Sequence, residues 1–343
     1  MPADQEIVAF IAGLPKAELH LHLQGAASVP TMLELARRRP EAGVPTDETE
    51  LAEFYRFTDF AHFIDVYMTV NQLVRSGEDV QLLVVGLGHD LARVNVRYAE
   101  VTVTADSHLS VGIPGDELAE ALNRGRRQVL TEHGIELGWV YDISGDLGVA
   151  SGERAVAWAE QYLPEGSVGF GIGGPEAGIA RTDFAPVFDR ARSLGLHSVP
   201  HAGEVTGPES IREAIEHLKA ERVDHGIAAA SDPALMAKIV DRGIVLEICP
   251  TSNMRMRAVP DLREHPFPTL RDAGVRVTLN TDDPGMFGTD LNREYLIAHE
   301  VFGLSADELV DLARESVRAS FASPERKAAI LGEIDAYART SRR

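Results

Sequence analysis

Cysteine is almost missing from this chain: Cys249 is the only one in 343 residues. No disulfide can close within the chain, and a zinc site built from several thiolates is excluded. Basic residues are also scarce. Only 33 lysines and arginines face 53 acidic residues, giving a formal charge of −20. A field of that sign repels nucleic acid and anionic membrane surfaces and favours a small-molecule partner. An AMP-like ligand would need a local cluster of cations for its phosphate. No apolar run is long enough to cross a bilayer, and Met1 to Gly13 has no cationic stretch before its apolar patch. The expectation is a cytoplasmic protein with no membrane or nucleic-acid partner. Nothing in the sequence sets its oligomeric state.

What is present is a large apolar fraction, 44%, enough for one extended core. Short apolar runs recur at 16–23, 96–104, 135–143, 168–174, 197–204, 222–227, 245–252 and 276–283. Most are nearly continuously apolar, as strands buried on both faces should be. Helical patterns lie between them, for example at 78–95, 116–133, 153–163, 182–194, 208–220 and 232–242, with Gly134 and Gly195 placed to end two of them. Alternating βα units predict a parallel sheet, and eight of them predict a closed (β/α)8 barrel of the TIM type spanning 1–343 as one domain. An open doubly wound sheet is the alternative. Two regions exceed the eight-unit plan. Residues 28–77 insert extra helix after the first strand, either as plain packing on the barrel or as a lid over its catalytic face. Residues 305–343 carry C-terminal helices, with a capping box at Ser305 and Glu308 and a second start at Ser323-Pro324.

The polar residues in these strands gather at carboxyl ends, where barrel enzymes place their chemistry. Strand one ends in His20-Leu21-His22, whose alternation puts both imidazoles on one face. Strand five ends in His201-Ala202-Gly203-Glu204, strand six carries Asp224-His225-Gly226, and strand eight ends in Asn280-Thr281-Asp282-Asp283. Burying such groups unpaired would cost on the order of 2–7 kcal/mol each, and a shared metal ion removes most of that cost. Imidazole and carboxylate together suit zinc, and less specifically iron, manganese or nickel. A lone HxH or DD pair is weak evidence; the ordered set on four strands is specific. The remaining histidines, among them His265, read as ordinary helix and loop residues, with His108 a candidate exception because it follows strand two.

ELHLHLQG, SVPHAGE, VDHG, CPTSN and LNTDDP, in this order, resemble the adenosine deaminase superfamily over about residues 14–320. The HxE and PCxxC pattern of the cytidine-deaminase type is absent. The resemblance implies one metal per chain, since VGFGIGG in strand four offers no lysine to bridge a second. It implies that His20, His22, His201 and Asp282 hold the metal, zinc before other divalent ions. It further implies that Glu204 exchanges a proton with purine N1, with its pKa raised for that purpose. His225 would position the attacking water, Asp283 would bind N7, and the Gly174 N–H would approach N3. Water would replace the 6-amino group of a purine nucleoside, releasing ammonia.

One position departs from the adenosine enzymes of that superfamily. Their first motif normally carries an acidic residue that accepts a hydrogen bond from the ribose 5′-hydroxyl, where this chain has Gln24. A neutral amide removes that charge-assisted bond. TDFAHFIDVY (58–67), GIGGPEAG (171–178) and DDPGMFGTDLN (282–292) are similar to the subgroup that deaminates 6-amino-6-deoxyfutalosine to futalosine in menaquinone biosynthesis. The 5′ end of that substrate carries an aromatic carboxylate. Phe60 and Phe63 would then pack on the extension, unless they are core residues, and Arg255 or Arg257, after the CPTSN strand end, would be a candidate cation for the carboxylate, with a surface role the stronger reading of either. Adenosine, another 5′-modified adenosine and free adenine are the alternative substrates. A binding protein without catalysis would be expected to lack Glu204 or His225, and both are present.

Overall fold

A computed structural model describes residues 5–341. Residues 1–4 and 342–343, the outer ends of the N-terminal segment and of the C-terminal helical region read from the sequence, lie outside the described residues. The strands are β1 (Lys16–His22), β2 (Val96–Val103), β3 (Glu136–Ser144), β4 (Ser167–Gly173), β5 (His197–Ser198), β6 (His201–Ala202), β7 (Arg222–His225), β8 (Val245–Ile248) and β9 (Arg276–Leu279). They form two parallel arcs, β1-β2-β3-β4-β5 and β6-β7-β8-β9. A helix follows nearly every strand, so each strand is covered on its outer face and reads as an apolar run.

The arcs meet to make a (β/α)8 barrel. At one seam Leu21 bridges Asp282 in parallel. There the His22 N–H donates to Asp282 O at 3.0 Å, and the Asp282 N–H donates to His20 O at 3.1 Å. At the other seam β5 and β6 are two pieces of the single strand expected at 197–204. Pro200 separates them because it has no N–H to give the ladder. The chain still runs on across the seam: the Val199 N–H reaches Phe170 O (2.9 Å), and Pro200 O accepts from the Asp224 N–H (3.1 Å).

The floor of the barrel is held by buried charge. Lys16 Nζ donates to the carbonyls of Ile11 (2.8 Å), Leu14 (2.7 Å) and Val94 (2.9 Å). Arg222 lies between Glu100 and Glu247, donates to Ala319 O at 2.8 Å, and stacks its guanidinium 3.8 Å from the Phe321 ring. The C-terminal helices Ala306–Ala319 and Pro324–Thr340 are where the sequence placed them, with the Ser305–Glu308 capping box formed. The insertion after β1 folds as three helices, Val29–Arg38, Glu48–Phe54 and Phe60–Asn71, with a 3-10 turn at Pro40–Ala42. The sequence reading omitted two helices, Gln5–Gly13 before β1 and Leu291–Glu300 after β9, which pack on each other outside the barrel.

Candidate active site

Ligand atoms of His20, His22, His201 and Asp282 lie within 4.8 Å of one another, all four residues buried. His22 Nε2 is 3.3 Å from His201 Nε2, and Asp282 Oδ1 is 3.2 Å from His22 Nε2 and 3.3 Å from His20 Nε2. His20 Nε2 has no hydrogen-bond partner among the described residues. Three ring nitrogens and one carboxylate oxygen facing a common point is a donor set for a divalent cation. Burial first, then the neighbouring imidazoles, holds the His22 pKa down to about 3, so its ring is neutral and ready to ligate.

The strand ends aim these groups. Asp282 and His225 both have left-handed backbones (φ 68° and 59°), a conformation that costs about 1–3 kcal/mol for a non-glycine residue. Each turns the chain sharply off its strand and projects the side chain over the barrel axis. A further set of side chains holds the ligands in place. Asp224 Oδ2 is 2.9 Å from His201 Nδ1, and its Oδ1 is 3.5 Å from His20 Nδ1. Occupying Nδ1 on both rings leaves Nε2 facing the cluster. The Ser252 hydroxyl donates to Asp282 Oδ2 at 2.7 Å.

Beside the cluster sit Glu204 and His225, with His225 Nε2 3.6 Å from Glu204 Oε2 and 3.8 Å from Asp282 Oδ2. Burial, then the negative charges of Asp282 and Glu176, pushes the Glu204 pKa up to about 8. Glu204 is therefore protonated at neutral pH in the absence of a cation, in the direction the sequence reading expected. The Asp283 carboxyl is also raised, by burial and by Asp282 next to it, and its Oδ1 has no partner among the described residues. Gly25 allows this placement, because a Cβ there would lie 1.6 Å from Asp283 Oδ1.

These residues open on a cleft of about 780 Å3, counting its open mouth. His22, His201, Glu204, His225, Asp282, Asp283 and Gly174 all line it. Gly174 has φ +74°, which glycine adopts freely. The opposite wall is the helix Phe60–Asn71, which contributes Phe60, Phe63, Ile64, Tyr67, Met68 and Asn71. Phe63 also packs on Phe57 and Phe287 (ring centroids 5.2 and 5.4 Å apart), so it is at once core and cavity wall.

Gln24 falls elsewhere than the sequence suggested, whereas Arg255 and Arg257 take the surface positions it favoured for them. Gln24 is buried but is not among the residues lining the cleft; its Nε2 lies 3.0 Å from His108 Nε2. Burial holds the His108 pKa down to about 4, so that partner is neutral. Arg255 and Arg257 are exposed, and no lysine or arginine lines the cleft among the described residues. Arg257 instead lines an adjoining groove that shares Glu204. Sequence reading gave no role to Asp224, Glu176, Ser252 or Asn253. The Glu176 carboxylate accepts the backbone N–H groups of Gly203, Glu204, Val205 and Thr206 (2.6–3.2 Å). GGPE and CPTSN, which hold Glu176 and Asn253, were visible signals.

A barrel whose strand ends join a His/Asp cluster that could hold a cation to a buried glutamate with a raised pKa fits the class of metal-dependent hydrolytic deaminases. The family model described as adenosine deaminase matches residues 15–337, and the chain belongs to that family. It is 50% identical to the aminodeoxyfutalosine deaminase of Streptomyces coelicolor over 335 residues, covering 97% of this chain and 87% of the relative. It is 35% identical to an adenine deaminase of Sphingopyxis alaskensis, covering 97% and 98%. Among solved structures, an amidohydrolase from Burkholderia ambifaria with bound Zn superposes with a TM-score of 0.90 at 25% identity, covering 99% of this chain and 96% of that one.

Proposed function

We propose that the chain converts 6-amino-6-deoxyfutalosine to futalosine and ammonia, with one zinc ion held by His20, His22, His201 and Asp282. The observation that carries the reaction is the meeting of that cluster with Glu204 and His225 over one cleft. The similarity to aminodeoxyfutalosine deaminases over nearly the whole chain carries the substrate.

The metal supplies Lewis acidity that ionises a water near neutral pH. The protein does the rest. Glu204, kept protonated by burial, delivers a proton to purine N1 as water adds to C6. This offsets the loss of ring aromaticity. His225 and Asp282 hold the attacking oxygen; of the two protons that oxygen gives up, one passes to the amino group, which departs as ammonia, and the other restores Glu204. Asp283 holds N7 and the Gly174 N–H holds N3, fixing C6 over the cluster. The helix Phe60–Asn71 serves as a lid whose aromatic face packs on the substituted 5′ end. The absence of lysine and arginine from the cleft wall among the described residues agrees with a substrate lacking phosphate; the carboxylate at the far end stays in solvent or reaches Arg257.

The test is a side-by-side deamination assay, followed by the ultraviolet change from 6-aminopurine to 6-oxopurine. Aminodeoxyfutalosine, adenosine, 5′-deoxyadenosine, methylthioadenosine and adenine are compared by kcat/KM. Aminodeoxyfutalosine is expected to win by a hundredfold or more, about 2.7 kcal/mol of transition-state preference. A win for adenosine or adenine overturns the substrate and leaves the deaminase chemistry standing.

A further inference from the structure

We propose that His265 and Asn253 form a positioning relay that fixes which atoms of Glu204 and His225 face the substrate. The relay begins at a backbone amide. The Phe267 N–H donates to His265 Nδ1 at 3.0 Å, so that nitrogen carries no proton. Burial lowers the His265 pKa to about 4. The ring is neutral at working pH and its single proton sits on Nε2. Nε2 lies 3.1 Å from Asn253 Oδ1, so the asparagine oxygen must accept, and this decides the orientation of the amide. Its nitrogen is then turned the other way, 3.2 Å from Glu204 Oε1 and 3.2 Å from His225 Nδ1. An amide nitrogen has two hydrogens, and both are used.

The consequence reaches the reacting face. Because His225 Nδ1 accepts from Asn253, neutral His225 keeps its proton on Nε2, the nitrogen that faces Glu204 Oε2 and Asp282 Oδ2. His225 therefore presents a hydrogen-bond donor to the attacking oxygen, a role that holds and polarises rather than takes a proton. Glu204 has one oxygen tied to Asn253 and the other left toward His225 and the cleft. Asn253 is fully buried, so no bulk water can replace it. His265 is buried against Phe302, ring centroids 5.5 Å apart, and Phe302 stacks on Phe267 at 4.9 Å. The relay is thus rigid from the backbone amide to the pair. It rests on the proposed reaction, in which Glu204 delivers the proton and His225 holds the attacking oxygen.

The experiment uses the metal-loaded full-length enzyme. Two-bond 1H–15N spectra of 15N-histidine-labelled protein, without substrate, read the tautomers, with His265 assigned by its loss in His265→Phe. His265 and His225 are expected with bare Nδ1 and protonated Nε2, and the His225 signals should shift in His265→Phe. Kinetically, His265→Phe should lower kcat at least tenfold with KM within threefold and metal content unchanged. His265→Gln keeps a donor toward Asn253 and should return kcat to within threefold of the parent. If His265→Phe does not fold, the isosteric Asn253→Asp, which accepts from His265 but cannot donate, should lose about 100-fold in kcat. A His265 protonated on Nδ1, full kcat in His265→Phe or Asn253→Asp, or no rescue by His265→Gln overturns the relay. The tautomer reading needs no substrate, so it stands apart from any failure of the substrate assignment.

Discussion

Glu176 holds Glu204 through the backbone: its Oε2 accepts the Glu204 N–H at 3.0 Å, and the same carboxylate takes the N–H groups on either side. Glu176 also raises the Glu204 pKa by its charge. One buried carboxylate thus sets both where Glu204 stands and how tightly it keeps its proton. Hydrogen bonds to a charged acceptor contribute about 1.5–3 kcal/mol each. Glu176→Ala should therefore destabilise the fold by about 3–5 kcal/mol, read as a lower midpoint in denaturant. Amides 203–206 should exchange with solvent faster than in the parent. Unchanged exchange there would show that the loop holds itself.

Glu204→Gln cannot deliver a proton. It should lose about 10²–10⁴-fold in kcat while retaining the metal, measured by turnover and by metal content on the same preparation. Full turnover with metal bound would remove Glu204 from the mechanism.

The pH dependence follows from the same residue. The active form is the protonated one, so kcat/KM should fall as pH rises through the Glu204 pKa. Without a cation that value is about 8. A cation in the cluster pulls it down by stabilising the carboxylate, so the basic limb should lie between the ordinary carboxyl range and about pH 8. The residual activity of Glu204→Gln should show no such limb. The sign for stability is parallel: folding raises this pKa, so stability from it is present below the unfolded value and declines as pH rises toward 8.

Asp224 lies 2.9 Å from His201 Nδ1 and 3.5 Å from His20 Nδ1, where it can orient both rings. Asp224→Asn should weaken metal affinity by about 10–100-fold, read by competition with a chelator. Removing the metal from the parent should abolish turnover and lower the thermal midpoint, and zinc should restore both. An Asp224→Asn affinity equal to the parent's would assign the orientation to the metal alone.

Arg222 sits between Glu100 and Glu247 beneath the site, and a Glu247 oxygen lies within 4.8 Å of Asp224 and His20. Arg222→Met strands two buried carboxylates and should cost about 3–5 kcal/mol. Arg222→Met combined with Glu100→Gln and Glu247→Gln should recover much of that loss in denaturant melts. No recovery would place the role of Arg222 in its contact with Phe321 instead.

The barrel was legible because parallel strands covered on both faces must be apolar throughout, and the cluster was legible because polar residues at such strand ends have no packing reason to be there. The interruption at Pro200 was missed although proline was in plain view, since a strand pattern does not say which N–H groups the ladder needs. The residues that support the site were harder to see. Asn253 meets His225 across 28 positions and Glu176 meets Glu204 across 28. Neither contact has a local period, so each exists only once the barrel brings separate loops together. His265 looked like a loop histidine for the same reason. Gln24 was read from its position after HLH, yet its amide faces His108, and the direction of a side chain past a strand end is not written in spacing.

The cleft wall without a lysine or arginine selects by omission. Adenine nucleotides share the reactive ring, and they would compete for any site that read the ring alone. Under the proposed function their phosphates would have to enter a chamber lined by Asp142, Asp146, Glu204, Asp282 and Asp283, where, away from the metal cluster, no lysine or arginine among the described residues replaces lost hydration. The energy-carrying pool is kept out by a missing side chain, and inhibitors built on phosphate mimics will inherit the same handicap.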